Sequence, residues 1–269
     1  MLQSTSKRVP NQFKAEFSKT FQGNVWQQSL SGHQLLITLR NEEEMTTSFS
    51  LLDLTSGEMH FDGLSLEESW WVDVYHFQEQ HAVFQVYRDS QDIQSKRYVG
   101  FDIVTQEELW SIEDVLALEV RKNQVHFLNQ LEEGDSFWLF IPTGEVQDEP
   151  MEEIDEPGIS YHLLSPFHYG EDSAHFETIS QFLTQKAGID LVGSCEYLEH
   201  EGFIFIACHE KQNEGFCLSL LVFDDQGQLL WNQLLDERLK GLASGAFFIV
   251  DDRLIFVEGR KTLKSYLIG

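Results

Sequence analysis

Three carboxylates recur at comparable places in apolar, strand-like runs: Asp73 in WVDVY, Glu119 in ALEVR and Glu196 in SCEYL. Gathered at one mouth, such a trio has the makings of a glycan hydrolase, with a base or nucleophile, an acid of raised pKa and a group that orients them. The same oxygens suit a divalent cation. The plainer reading is that acids on such strands bind backbone or face water, and 45 acidic residues in a chain of 269 make coincidence cheap. The two other inner strands offer Gln27 or Gln28 and, near Phe247, no acid. Trp70 and Trp71 open one inner strand; either both pack in the core, or one packs and the other presents a face on which a sugar or base stacks.

The familiar sequence motifs for chemistry are missing, although a site assembled from several separate segments of the chain needs none of them. It contains no GxGxxG, GxxxxGK[ST], HExxH, CxxC, EF-hand loop or GxSxG. His162, His168 and His175 cluster, but spacings of six and seven fit no zinc pattern, so neither a metal nor a cofactor is expected. Cys195, Cys208 and Cys217 are too few and odd in number for a disulfide framework; Cys208 and Cys217 could face each other across a hairpin, and both read as small hydrophobes.

The charge narrows the partners. With 18 basic residues and a net charge of −27, the surface repels phosphate backbones and anionic lipid, so nucleic acid and membranes are not expected partners. No signal-like N-terminal run and no window near ~18 apolar residues is present, which predicts a cytoplasmic protein. At 42% hydrophobic the chain can bury a core. A monomer is expected.

The elements that would position these residues are short runs of period-2 alternation, such as HQLLITLR (33–40), HAVFQVYR (81–88) and GFIFIACH (202–209), broken by turns every 8–12 residues. With no Asn-Gly pair, the connections read as polar loops of three to six residues, such as 88–92 and 211–215. A unit repeats in LLDLTSGEMHF (51–61), GFDIVTQEELW (100–110) and VFDDQGQLLW (222–231): a strand ending in Asp, a polar turn, then a strand carrying Phe61, Trp110 or Trp231. FIPTGEV (140–146) is a copy without the Asp. An Asp there accepts backbone N–H groups of the turn, and the aromatic packs on the next sheet.

Such repetition predicts an all-β protein, a single-domain β-propeller of five four-stranded blades, at about 25–63, 70–113, 115–166, 189–235 and 241–269, with strand 12–21 completing the last blade. Residues 145–157, with seven acids and two prolines, read as a solvated excursion. One helix is expected over 173–187, N-capped by Asp172 or Ser173, stopped by Gly188, with a stripe of Phe176, Ile179, Phe182 and Leu183.

The repeat resembles the blades of quinoprotein-like and WD-type propellers, on Asp53, Thr55 and Gly57, on Asp102, Thr105 and Trp110, and on Asp224, Gly227 and Trp231. The layout is also similar to a Bacteroidetes family classed as a domain of unknown function. These likenesses imply a propeller and no activity; quinone chemistry is not implied, because blade number and the calcium and cysteine-pair signatures differ. Two functions follow as expectations. One is a non-enzymatic module that binds a basic protein or a small ligand. The other is a glycan hydrolase using Asp73, Glu119 and Glu196.

Overall fold

The computed structural model describes residues 11–88, 95–131, 134–152, 161–212 and 215–269. The chain begins with β1 (Phe13–Thr20). A first meander follows, β2 (Asn24–Ser31), β3 (Gln34–Asn41), β4 (Thr46–Asp53) and β5 (Met59–Leu64). The second is β6 (Val72–Gln78), β7 (His81–Tyr87), β8 (Lys96–Asp102) and β9 (Glu107–Glu113). The third is β10 (Val115–Arg121), β11 (Gln124–Asn129), β12 (Ser136–Phe140) and β13 (Glu145–Gln147). These three sheets make one compact unit, residues 22–160.

The second unit takes residues 1–21 and 161–269. After β14 (Leu163–Leu164), β15 (Phe167–Gly170) and helix α1 (Phe176–Ala187) come β16 (Leu191–His200), β17 (Phe203–Gln212), β18 (Gly215–Asp224) and β19 (Leu229–Leu239). The chain ends with β20 (Phe247–Val250), β21 (Arg253–Glu258) and β22 (Thr262–Ile268). One sheet runs β15-β16-β17-β18-β19 and the other β1-β22-β21-β20-β14, antiparallel throughout. Five four-stranded antiparallel meanders, the last completed by the N-terminal strand, give the all-β, propeller-type architecture that the repeat predicts.

Alternation does the packing. Along β7, Ala82, Phe84 and Val86 face the first sheet, against Leu36, Phe49 and Leu51, while Val83 faces the third, against Val125 and Phe127. A strand covered on both faces must be apolar throughout, which is why the second and third strands read LLIT, FIFIAC and SLLVF. In the second unit, Phe205 and Ala207 join the core shared with β20–β22, whereas Ile206 and Cys208 face α1. Phe13 of β1 seats its ring edge-on to Phe203, with centroids 5.2 Å apart, and lies 5.6 Å from the buried Trp231. Glu16 of β1 accepts the Ser265 hydroxyl and pairs with Arg253, each at 3.0 Å.

The Asp turns form as the sequence predicts. Asp53 accepts the N–H groups of Thr55 and Ser56, Asp102 those of Val104 and Thr105, and Asp224 those of Gln226 and Gln228, at 2.7–3.0 Å. Trp231 is wholly buried, while Trp110 lies across its neighbour strand and donates to the Ile141 carbonyl at 2.6 Å.

Several expectations are corrected. In all five meanders the first hairpin is a two-residue turn rather than a longer loop, at Gly32-His33, Glu79-Gln80, Lys122-Asn123, Glu201-Gly202 and Asp251-Asp252. Glu79, Glu201 and Asp251 take left-handed φ of 54°, 49° and 52°, so the paired strands impose a turn that glycine usually supplies. The third meander ends at Gln147, not near Pro166: β14 pairs with β20 and β15 with β16, in the other unit. Of the acidic stretch 145–157, residues 153–157 lie outside the described residues, and Met151 is held by the Gln124 side chain in both directions at 2.9 Å. Helix α1 begins later than expected, with His175 as an N-cap that makes no side-chain bond, because Ser173 is used in the preceding turn; Gly188 ends it in the left-handed conformation. Cys208 stands opposite Cys195, not Cys217, and all three thiols are free and buried.

Candidate functional site

The three carboxylates take different register positions along their own strands. Asp73 stands opposite Gln85, Glu196 opposite Ala207 and Glu119 opposite His126, which puts them five, four and two residues before the last pair of their hairpins. Bulges at Tyr75 and Leu118 further shift which side of the strand each residue takes.

Each carboxylate is also committed locally. Glu196 is 6% exposed and accepts the N–H groups of Gly245 and Ala246, so it holds the chain entering β20. His209 helps: its Nε2 accepts the Ala243 N–H at 3.0 Å, which leaves Nδ1 to donate to the Ser194 carbonyl at 3.1 Å. Glu119 takes the Arg121 Nε at 2.8 Å, and that guanidinium lies 4.5 Å from the Trp138 ring. Asp73 takes Arg40 Nη2 at 2.9 Å. These contacts make Glu196 a backbone anchor and make Asp73 and Glu119 counter-ions.

The Asp73 pair opens onto a larger cluster. The Arg40 guanidinium sits 4.1 Å from the Trp26 ring centroid and 5.3 Å from that of Trp70. Arg40 is at the end of β3, opposite Asn24 and Thr47 in its two neighbours, and the Thr47 hydroxyl and amide bind the Trp70 and Ser69 carbonyls. Glu68 Oε1 in turn accepts the N–H groups of Trp70 and Trp71 at 2.9 and 3.1 Å. Strands β2, β3 and β6 are thereby tied at one end, where Trp26 is 55% and Trp71 44% exposed. The β3–β4 turn adjoins them, with Glu42, Glu43, Glu44 and Met45 all exposed.

The cluster offers exposed indole faces, an arginine ion-paired with Asp73, and an acidic rim. Of the sequence candidates, Trp70 and Asp73 are brought together here, and Trp71 lies next to them on the surface rather than in the core. Trp26 and Arg40 were not foreseen. The bulge between Val25 and Gln27 re-aims Trp26, and nothing in the local sequence marks it. Arg40 had a signal: a single cation at a strand end, followed by three glutamates.

Among the described residues no three His, Cys, Asp or Glu side chains are arranged to hold a metal ion, and no helix is long and apolar enough to cross a membrane.

Comparison with known proteins gives limited likeness. The chain is 31% identical over 93 residues to the FACT complex subunit pob3 of Schizosaccharomyces pombe, a match covering 33% of this chain and 18% of that protein. The matched stretch is thus under a fifth of the length of that curated relative. Among solved structures, the β-propeller domain of the trilobed protease from Pyrococcus furiosus is 11% identical, with a TM-score of 0.31 over 90% of this chain and 79% of that one. A member of the duf4221 family from Bacteroides vulgatus is 10% identical, with a TM-score of 0.33 over 95% and 97%. Residues 30–110, the stretch that carries Arg40, Trp70, Trp71 and Asp73, match the family described as "Domain of unknown function (DUF4905)".

Proposed function

We propose that the protein is a non-enzymatic interaction module that docks a basic segment of a partner protein on the Trp26–Arg40–Trp70 cluster. The observation that carries this reading is the exposed Trp26 indole, held in place from one side by a guanidinium that Asp73 neutralises. Tryptophan and arginine at a fixed, half-buried position are the residue types that dominate binding energy at interfaces. An incoming lysine or arginine gains a cation–π contact on the free indole surface, and Glu42, Glu43 and Glu44 supply opposite charge at the rim. The net charge of −27 speeds encounter with a basic partner.

The test uses a fluorescein-labelled peptide of alternating lysine and leucine and the full chain, read by anisotropy. Trp26→Ala lowers affinity about tenfold and Trp71→Ala less, with thermal midpoints unchanged, because both side chains are exposed. Wild-type affinity in both variants, with binding abolished by salt alone, overturns the platform and leaves only diffuse charge attraction.

A further inference from the structure

The second unit contains a pocket of about 390 Å³ between α1 and the sheet face beneath it. That size lies within the ~300–1,000 Å³ range of small-molecule sites. Its floor is Ile204 and Ile206 of β17, and its roof is Ile179 and Phe182, one turn apart on α1. Two aromatic walls stand between them: the rings of Tyr169 and Tyr197 have centroids 6.4 Å apart and planes at 60°. The polar side is Glu199, two residues beyond Tyr197 on β16 and so on the same side of the strand, and His175 and Thr178 at the start of α1 complete the lining. The Tyr197 hydroxyl donates a hydrogen bond to Glu199 Oε1. Burial, reinforced by that bond and by the Glu199 charge, drives the Tyr197 hydroxyl far above its usual range, so the phenol stays the donor of the pair.

We infer that this pocket binds an organic ammonium ion carried on a small apolar body, the cation resting against Tyr169 and Tyr197 and paired with Glu199. Two electron-rich faces set at an angle, beside one carboxylate and above an aliphatic floor, match such a ligand in shape and in sign of charge. The first turns of α1 flank the pocket, and the positive end of its dipole would favour an anion; Glu177 in the first turn opposes it. The charge of the ligand is therefore the discriminating variable.

Phenethylammonium, phenethyl alcohol and 3-phenylpropanoate share an apolar body and differ in that charge. Each is titrated into the full chain, with methyl NMR shifts of Ile179, Ile204 and Ile206 as the readout. The ammonium binds about tenfold tighter than the alcohol, and the carboxylate weakest. Glu199→Gln removes the advantage of the ammonium while leaving the alcohol unchanged; Tyr197→Phe, which keeps the ring and frees the carboxylate from its hydroxyl donor, keeps or enlarges that advantage. Trp26→Ala changes none of these titrations, which separates this site from the platform. Equal binding of the three probes, tightest binding of the carboxylate, or no shift of those methyls at concentrations on the order of 10 mM overturns the inference.

Discussion

A single side chain, His76 of β6, illustrates how far local chemistry reaches. Its Nε2 donates to the Lys122 carbonyl at 2.9 Å, in the turn between β10 and β11. Burial lowers its pKa below the usual 6.5, and the bond to Lys122 offsets only part of that. A histidine with a depressed folded pKa stabilises fully above its unfolded value. Between the two values the unfolded chain binds more protons, so stability is lost as pH falls through the folded value. Urea unfolding at pH 7 and at pH 5.5 is expected to show a loss in the wild type that shrinks in His76→Gln. An unchanged or steeper loss in the variant would exclude His76 as its source. The Asp turns show the opposite balance. Burial works against the Asp53 carboxylate, but the hydroxyls and amides of Thr55 and Ser56 outweigh it and hold the group below 3.8. All three Asp turns were legible in the sequence because an Asx turn is closed by residues two to four apart.

At the scale of the element, what counts is how closely neighbouring strands approach. Gly100 stands opposite Trp110, and a Cβ on it would come within 2.1 Å of the indole, which is itself pinned by the Ile141 carbonyl. Gly100→Ala is expected to cost about 1–3 kcal/mol, seen as an earlier denaturant midpoint with the slope unchanged. Wild-type stability in that variant would mean that Trp110 swings away freely. Strand β1 offers a second test. Phe13 is its main apolar anchor against Phe203, Phe205 and Trp231, so Phe13→Ala is expected to cost about 3–5 kcal/mol. Hydrogen exchange should show the lost protection first at β1 and β22. If exchange there stays as slow as in the wild type, backbone pairing alone secures the strand.

For the molecule as a whole, the dominant number is the charge of −27. Compaction crowds those carboxylates, and added salt screens them, shrinking the Debye length from about 30 Å at 0.01 M to about 10 Å at 0.1 M. The thermal midpoint is expected to rise by about 2–4 °C for each kcal/mol so recovered between these salt concentrations. A midpoint that stays flat or falls would show that local ion pairs such as Arg40–Asp73 and Arg253–Glu16 matter more than the overall field.

The sequence by itself determined the all-β class, the five meanders, the Asp turns, the N-terminal strand that completes the last sheet and the stop of the helix at Gly188. All but the completed last sheet are written in alternation or in hydrogen bonds between near neighbours, and that sheet follows from counting one leftover strand at one end against three at the other. Only the tertiary structure decided the two-residue turns at Glu79, Glu201 and Asp251, the assignment of β14 and β15 to different sheets, and the local partners that Asp73, Glu119 and Glu196 each take. It alone also placed Trp26 beside Arg40 and Trp70, and closed α1 over Tyr169, Tyr197 and Glu199. The reason is physical: these features depend on bulges, strand offsets and contacts between residues far apart in the chain, whose energies exist only once the strands have paired.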